Sequence, residues 1–92
     1  MIVRIATENQ YELPDEAAER LNDLDNLCVE AVDAGSEERF REVFDQMLGL
    51  VRTEGHLLDA DVLHGSDVIL PPPDVTFAEA KNGFSGEGLI PD

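Results

Sequence analysis

The chain has 92 residues and sets 21 acidic against 6 basic side chains, a formal net charge of -15 at pH 7. A chain this short hides only roughly 60–65% of the surface that its unfolded form exposes, so it supports one modest core and no catalytic domain beside a binding domain. The acid excess excludes the usual routes to nucleic acid or to an anionic membrane surface, both of which rely on Lys and Arg.

A hydrophobic share of 42% argues for a folded chain despite the charge. The acids are spread along the whole sequence, and Lys81 is its only lysine beside Arg4, Arg20, Arg39, Arg41 and Arg52. That spread reads as a solvated coat. Such a coat suits strong salt, where the screening length falls from about 10 Å to about 3 Å, and a halophilic source is the expectation. The single Cys28 permits no internal disulfide and fits a reducing cytosol. Charge interrupts the first residues too early for a signal peptide, and no apolar run approaches ~18 residues, so a soluble cytoplasmic protein is expected.

The predicted elements begin with an N-terminal β-hairpin over 1–13. Met1 to Ala6 alternates as a strand, Thr7-Glu8-Asn9 supplies turn chemistry with Asn9 suited to a left-handed conformation, and Tyr11 and Leu13 share a face of the second strand. Residues 14–55 predict an antiparallel two-helix hairpin. Pro14 with Asp15 and Glu16 marks the first N-terminus, and Ala17, Leu21, Leu24, Cys28 and Ala31 recur at steps of four and three, with Leu27 and Val32 beside them. Gly35 and Ser36 end one helix and cap the next, whose stripe is Phe40, Val43, Phe44, Met47, Leu48 and Val51 before Gly55. Residues 66–92 predict a short strand over Asp67 to Leu70, stopped by Pro71-Pro72-Pro73, then a short helix opened by the capping box Thr76 to Glu79 and a Gly-rich tail with Leu89 and Ile90. The expected class is α+β, in a single domain.

Catalytic chemistry is not signalled. Gly83, Gly86 and Gly88 lack the spacing of a phosphate loop, and the run from Asp59 fails as a calcium loop because Leu63, His64 and Leu70 occupy positions that need other residues. His56 and His64 with Asp59 and Asp61 offer metal ligands without a compact ligand spacing, and solvated loop residues are the preferred reading. Cys28 lies on an apolar stripe, where a thiol is a core residue before it is a nucleophile. No cofactor or metal is expected. The proline run lacks a P-x-x-P frame and reads as a rigid exit turn.

Several stretches together resemble one known family. They are Met1 to Ala6 with Gln10, Tyr11 and Leu13, then Leu48 to Gly55, then Ser66 to Pro72 with Asp74 and Thr76, and the ending Gly88-Leu89-Ile90-Pro91-Asp92. Over nearly its whole length the chain resembles the PspA-associated family, PspAA, of the phage-shock or envelope-stress system in archaea and actinobacteria. The resemblance implies a non-enzymatic partner of PspA, a coiled-coil protein that coats stressed membranes, and membrane contact only through that partner. Leu70, Pro71, Pro72, Asp74, Leu89, Ile90 and Pro91 are the expected recognition surface, set against the alternative that they close the fold over the helical hairpin. A homodimer through the hairpin and a small metal- or ligand-binding protein using His56 and His64 are the competing readings.

Overall fold

Alternation selects the first strand. In β1 (Ile2–Ile5) Val3 and Ile5 are buried, Ile2 is half-buried and Arg4 is exposed, the two-residue period of a strand with one face on a core. The computed structural model describes residues 1–59, 65–84 and 88–89 of the chain. β2 (Gln10–Glu12) returns antiparallel to β1, with Ile2 opposite Glu12 and Arg4 opposite Gln10. The left-handed residue of the reversal is Thr7, at φ 68°, and Asn9 does not take that role. The Glu8 N–H donates to Ile5 O across the turn at 2.9 Å and the Ile5 N–H to Asn9 O at 3.2 Å, which puts the second turn position on Thr7.

The two long helices follow as the periodicity predicts. α1 (Asp15–Asp33) starts behind Pro14 and buries Ala17, Leu21, Cys28, Ala31 and Val32, leaving Leu24 and Leu27 half-buried. Gly35 takes φ 70°, and the Ser36 hydroxyl accepts the Arg39 N–H at 3.3 Å to open α2 (Glu37–Glu54), which buries all six residues of its stripe. The helices run antiparallel, and Arg20 near the start of α1 pairs at 3.2 Å with Glu54 at the end of α2.

The sequence does not signal β3 (His56–Leu57), a two-residue strand added to β2 with Leu57 opposite Tyr11. Gly55 makes this direct return feasible, since a Cβ there would lie 2.5 Å from Val51 O and 2.9 Å from the Tyr11 Cβ. β4 (Val68–Leu70) pairs parallel to β1 and completes a sheet of order β3-β2-β1-β4. It begins one residue later than predicted because Asp67 serves as its anchor. The Asp67 N–H donates to Ile2 O at 2.8 Å, and its carboxylate accepts the Ile2 N–H at 2.8 Å.

α3 (Phe77–Gly83) is opened by the predicted capping box. The Thr76 hydroxyl accepts the Glu79 N–H at 3.2 Å, and the Glu79 carboxylate accepts the Thr76 N–H at 3.0 Å. Those bonds to Thr76 hold the Glu79 carboxyl below its ordinary range. Val75 and Ala80 on either side of the cap are both buried. Phe40, Phe44, Phe77 and Phe84 meet around α2 and α3, with Phe40 and Phe44 stacked at 5.4 Å and Phe84 edge-on to each. Each such ring pair adds about 0.5–1.5 kcal/mol beyond area burial. Sheet and helices share one hydrophobic cluster.

Candidate partner-binding site

The residues expected to form a recognition surface hang from two anchors. Leu70 points inward and is fully buried, and its carbonyl accepts the Ala6 N–H at 2.9 Å. Pro71 and Pro72 are half-buried, and Asp74 is exposed. Arg41 of α2 holds this segment by donating to Pro73 O at 3.0 Å and to Val75 O, while its guanidinium lies 5.8 Å from the Phe40 ring centre and 5.7 Å from that of Phe44. A planar, forked cation suits two carbonyls on one side and two aromatic faces on the other.

Leu89 belongs to the second anchor, on α1. Asp25 is fully buried, and its carboxylate accepts the Leu89 N–H at 3.0 and 3.1 Å. The chain reaches that carboxylate through Gly88 at φ 84°, where a Cβ would sit 2.6 Å from Oδ2. Leu89 also lies beside Gly83 of α3. Ile90 and Pro91 lie outside the described residues. Sequence reasoning missed Asp25, although Leu21, Asp25, Cys28 and Val32 share the steps of four and three that mark the buried stripe.

Cys28 is fully buried and donates to the Met47 sulfur at 3.4 Å. Burial, and after it the charge of Asp25, pushes its thiol up to about 12, so it holds its proton and is a poor nucleophile. His56 is exposed on β3 opposite Glu12, Asp59 is exposed, and Asp61 and His64 lie outside the described residues. Among the described residues no three His, Cys, Asp or Glu side chains come together as metal ligands, and no helix is long and apolar enough to cross a membrane.

A different surface also went unread in the sequence. On the outward side of the helical hairpin an open groove of about 420 Å³ is lined by Arg20, Asp23 and Leu24 from α1 and by Gln46 and Leu50 from α2. Arg20 and Asp23 sit one position behind the core stripe of α1 and place one cation and one carboxylate on the groove. Arg20 is neutralised by Glu54 and Arg39 by Glu42, whereas Glu16, Asp23 and Glu30 carry no ion pair among the described residues. Beside Leu50, Gly49 sits in mid-helix, one turn from Gln46 and from Thr53, and among the described residues a Cβ there would meet nothing within 4 Å. Glycine costs a helix about 1 kcal/mol relative to alanine, and no contact among the described residues requires it at this position.

No curated protein and no solved structure matches the chain significantly. The model of one protein family, described as PspA-Associated protein, matches residues 1–92 from end to end, and the chain belongs to this PspAA family.

Proposed function

We propose that the chain is a non-enzymatic interaction module that binds a PspA-like coiled-coil protein and modulates its assembly or signalling in the membrane-stress response. The observation that carries this reading is the match of the whole chain to the PspA-associated family. The chemistry of the molecule supports it. The one thiol is buried and protonated, and the net charge of -15 favours a basic partner over anionic lipid. The protein then works in the cytoplasm and reaches the inner face of the membrane through its partner.

Affinity purification of the tagged full-length chain from its native cells, at the salt concentration of their cytoplasm, tests the proposal. A PspA-like protein recovered in stoichiometric amount is the expected result. Recovery of the chain alone or as a homodimer, with PspA demonstrably expressed in the same cells, overturns it.

A further inference from the structure

We infer that Asn82 and Gly83, in the last turn of α3, form a self-modification site, where the Asn82 amide is converted to a carboxylate through attack by the chain's own backbone. Asn82 is exposed, and among the described residues no hydrogen bond holds its amide. The residue after it is a glycine that neither conformation nor packing requires. Its φ is not positive, and a Cβ there would meet only Leu89 Cδ2, at an ordinary 3.6 Å. What glycine does supply is an amide nitrogen with no side chain to hinder its approach to Asn82 Cγ. In the reaction the Gly83 nitrogen loses its proton and bonds to that carbon, the side-chain nitrogen of Asn82 leaves as ammonia, and a five-membered imide closes. Water adds to one carbonyl of the ring and opens it, giving either aspartate or an isoaspartate whose main chain runs through the side-chain carbon. One water is consumed and one ammonia released. The chain's other asparagines, Asn9, Asn22 and Asn26, precede Gln10, Asp23 and Leu27, whose side chains crowd the same approach.

A helix directs each N–H along its axis, away from the preceding side chain, so the ring closes only when the last turn opens. α3 has only seven residues, and the Phe84 N–H donating to Ala80 O at 2.9 Å closes its end; helices this short gain little from their own backbone. The product opposes reclosure, because it adds negative charge at the helix C-terminus, where the dipole disfavours it. The isoaspartate also lengthens the main chain beside Leu89, whose N–H Asp25 holds. Modification thus loosens the tail from α1.

The test incubates the folded full-length chain in high KCl at mildly alkaline pH, which favours loss of the Gly83 proton. Peptides are mapped by mass spectrometry over time, and isoaspartate is detected by enzymatic methylation. A gain of one mass unit at Asn82, with Asn9, Asn22 and Asn26 still amides, is the expected result, together with faster hydrogen exchange of the Leu89 amide in the converted chain. Gly83→Ala should slow the conversion by about fivefold or more, since alanine steadies the turn and adds a hindering Cβ. Asn82 left intact in the folded chain while the urea-unfolded chain converts there, equal conversion at the other asparagines, or an unchanged rate in Gly83→Ala each overturn the site. Unchanged Leu89 exchange after conversion overturns the loosening of the tail.

Discussion

Replacing Gly88 with alanine should destabilise the protein through Asp25, a residue 63 positions away in the chain. Two effects combine. An L residue at φ 84° costs about 1–2 kcal/mol in backbone conformation alone. The new Cβ would also stand 2.6 Å from Asp25 Oδ2, so the carboxylate must withdraw and give up the Leu89 N–H. A hydrogen bond to a charged group contributes about 1.5–3 kcal/mol, which brings the expected loss to about 3–4 kcal/mol. That is a large part of the ~5–15 kcal/mol that holds a small domain together. The two effects separate in a double-mutant cycle with Asp25→Ala, read by urea unfolding at high KCl. Without the carboxylate to strike, Gly88→Ala should cost only the backbone term, leaving a coupling of about 2 kcal/mol. Equal costs in the two backgrounds, within about 0.5 kcal/mol, would refute the reasoning.

The buried thiol gives an alkaline signature. Because the folded state holds Cys28 protonated up to about 12 while an unfolded thiol titrates near its ordinary 9.0, stability is intact below pH 9 and falls above it, by up to about 1.4 kcal/mol per pH unit; urea midpoints of Cys28→Ala should fall less than those of the wild type between pH 9 and 11. Arg41→Lys cannot reach Pro73 O and Val75 O in one fork and should cost about 1–2 kcal/mol, and an unchanged melting temperature would argue that the clamp contributes nothing. The dispersed acids should make the unfolding midpoint rise steadily between 0.1 and 2 M KCl, whereas a flat response would remove salt adaptation as the reason for the charge.

Residues that repeat a pattern announced themselves in the sequence, and residues that make a single long-range contact did not. The stripe from Phe40 to Val51 predicts α2 residue for residue because burial recurs at every turn of a helix. The Thr76 to Glu79 cap is equally legible, since its bonds span three positions. Asp25 is not legible in the sequence, because its carboxylate takes the Leu89 N–H only when the far end of the chain arrives. β3 is two residues long and carries no period, and what permits it is an absence of side chain at Gly55. The groove went unread for a related reason. Its Arg20 and Asp23 are offset by one position from the stripe that builds the core of the same helix.

The parallel pairing of β1 with β4 imposes an order on folding. Val3 must meet Val68, so the central strand acquires its second neighbour only after the turn, both long helices and the connection that follows have left the ribosome. The helical hairpin and the β1–β2 hairpin depend on near neighbours and can form during synthesis. Until β4 docks, however, Ile2 to Ile5 present an open, apolar edge of the kind that templates aggregation. About three quarters of the chain is thus made before its first strand is protected.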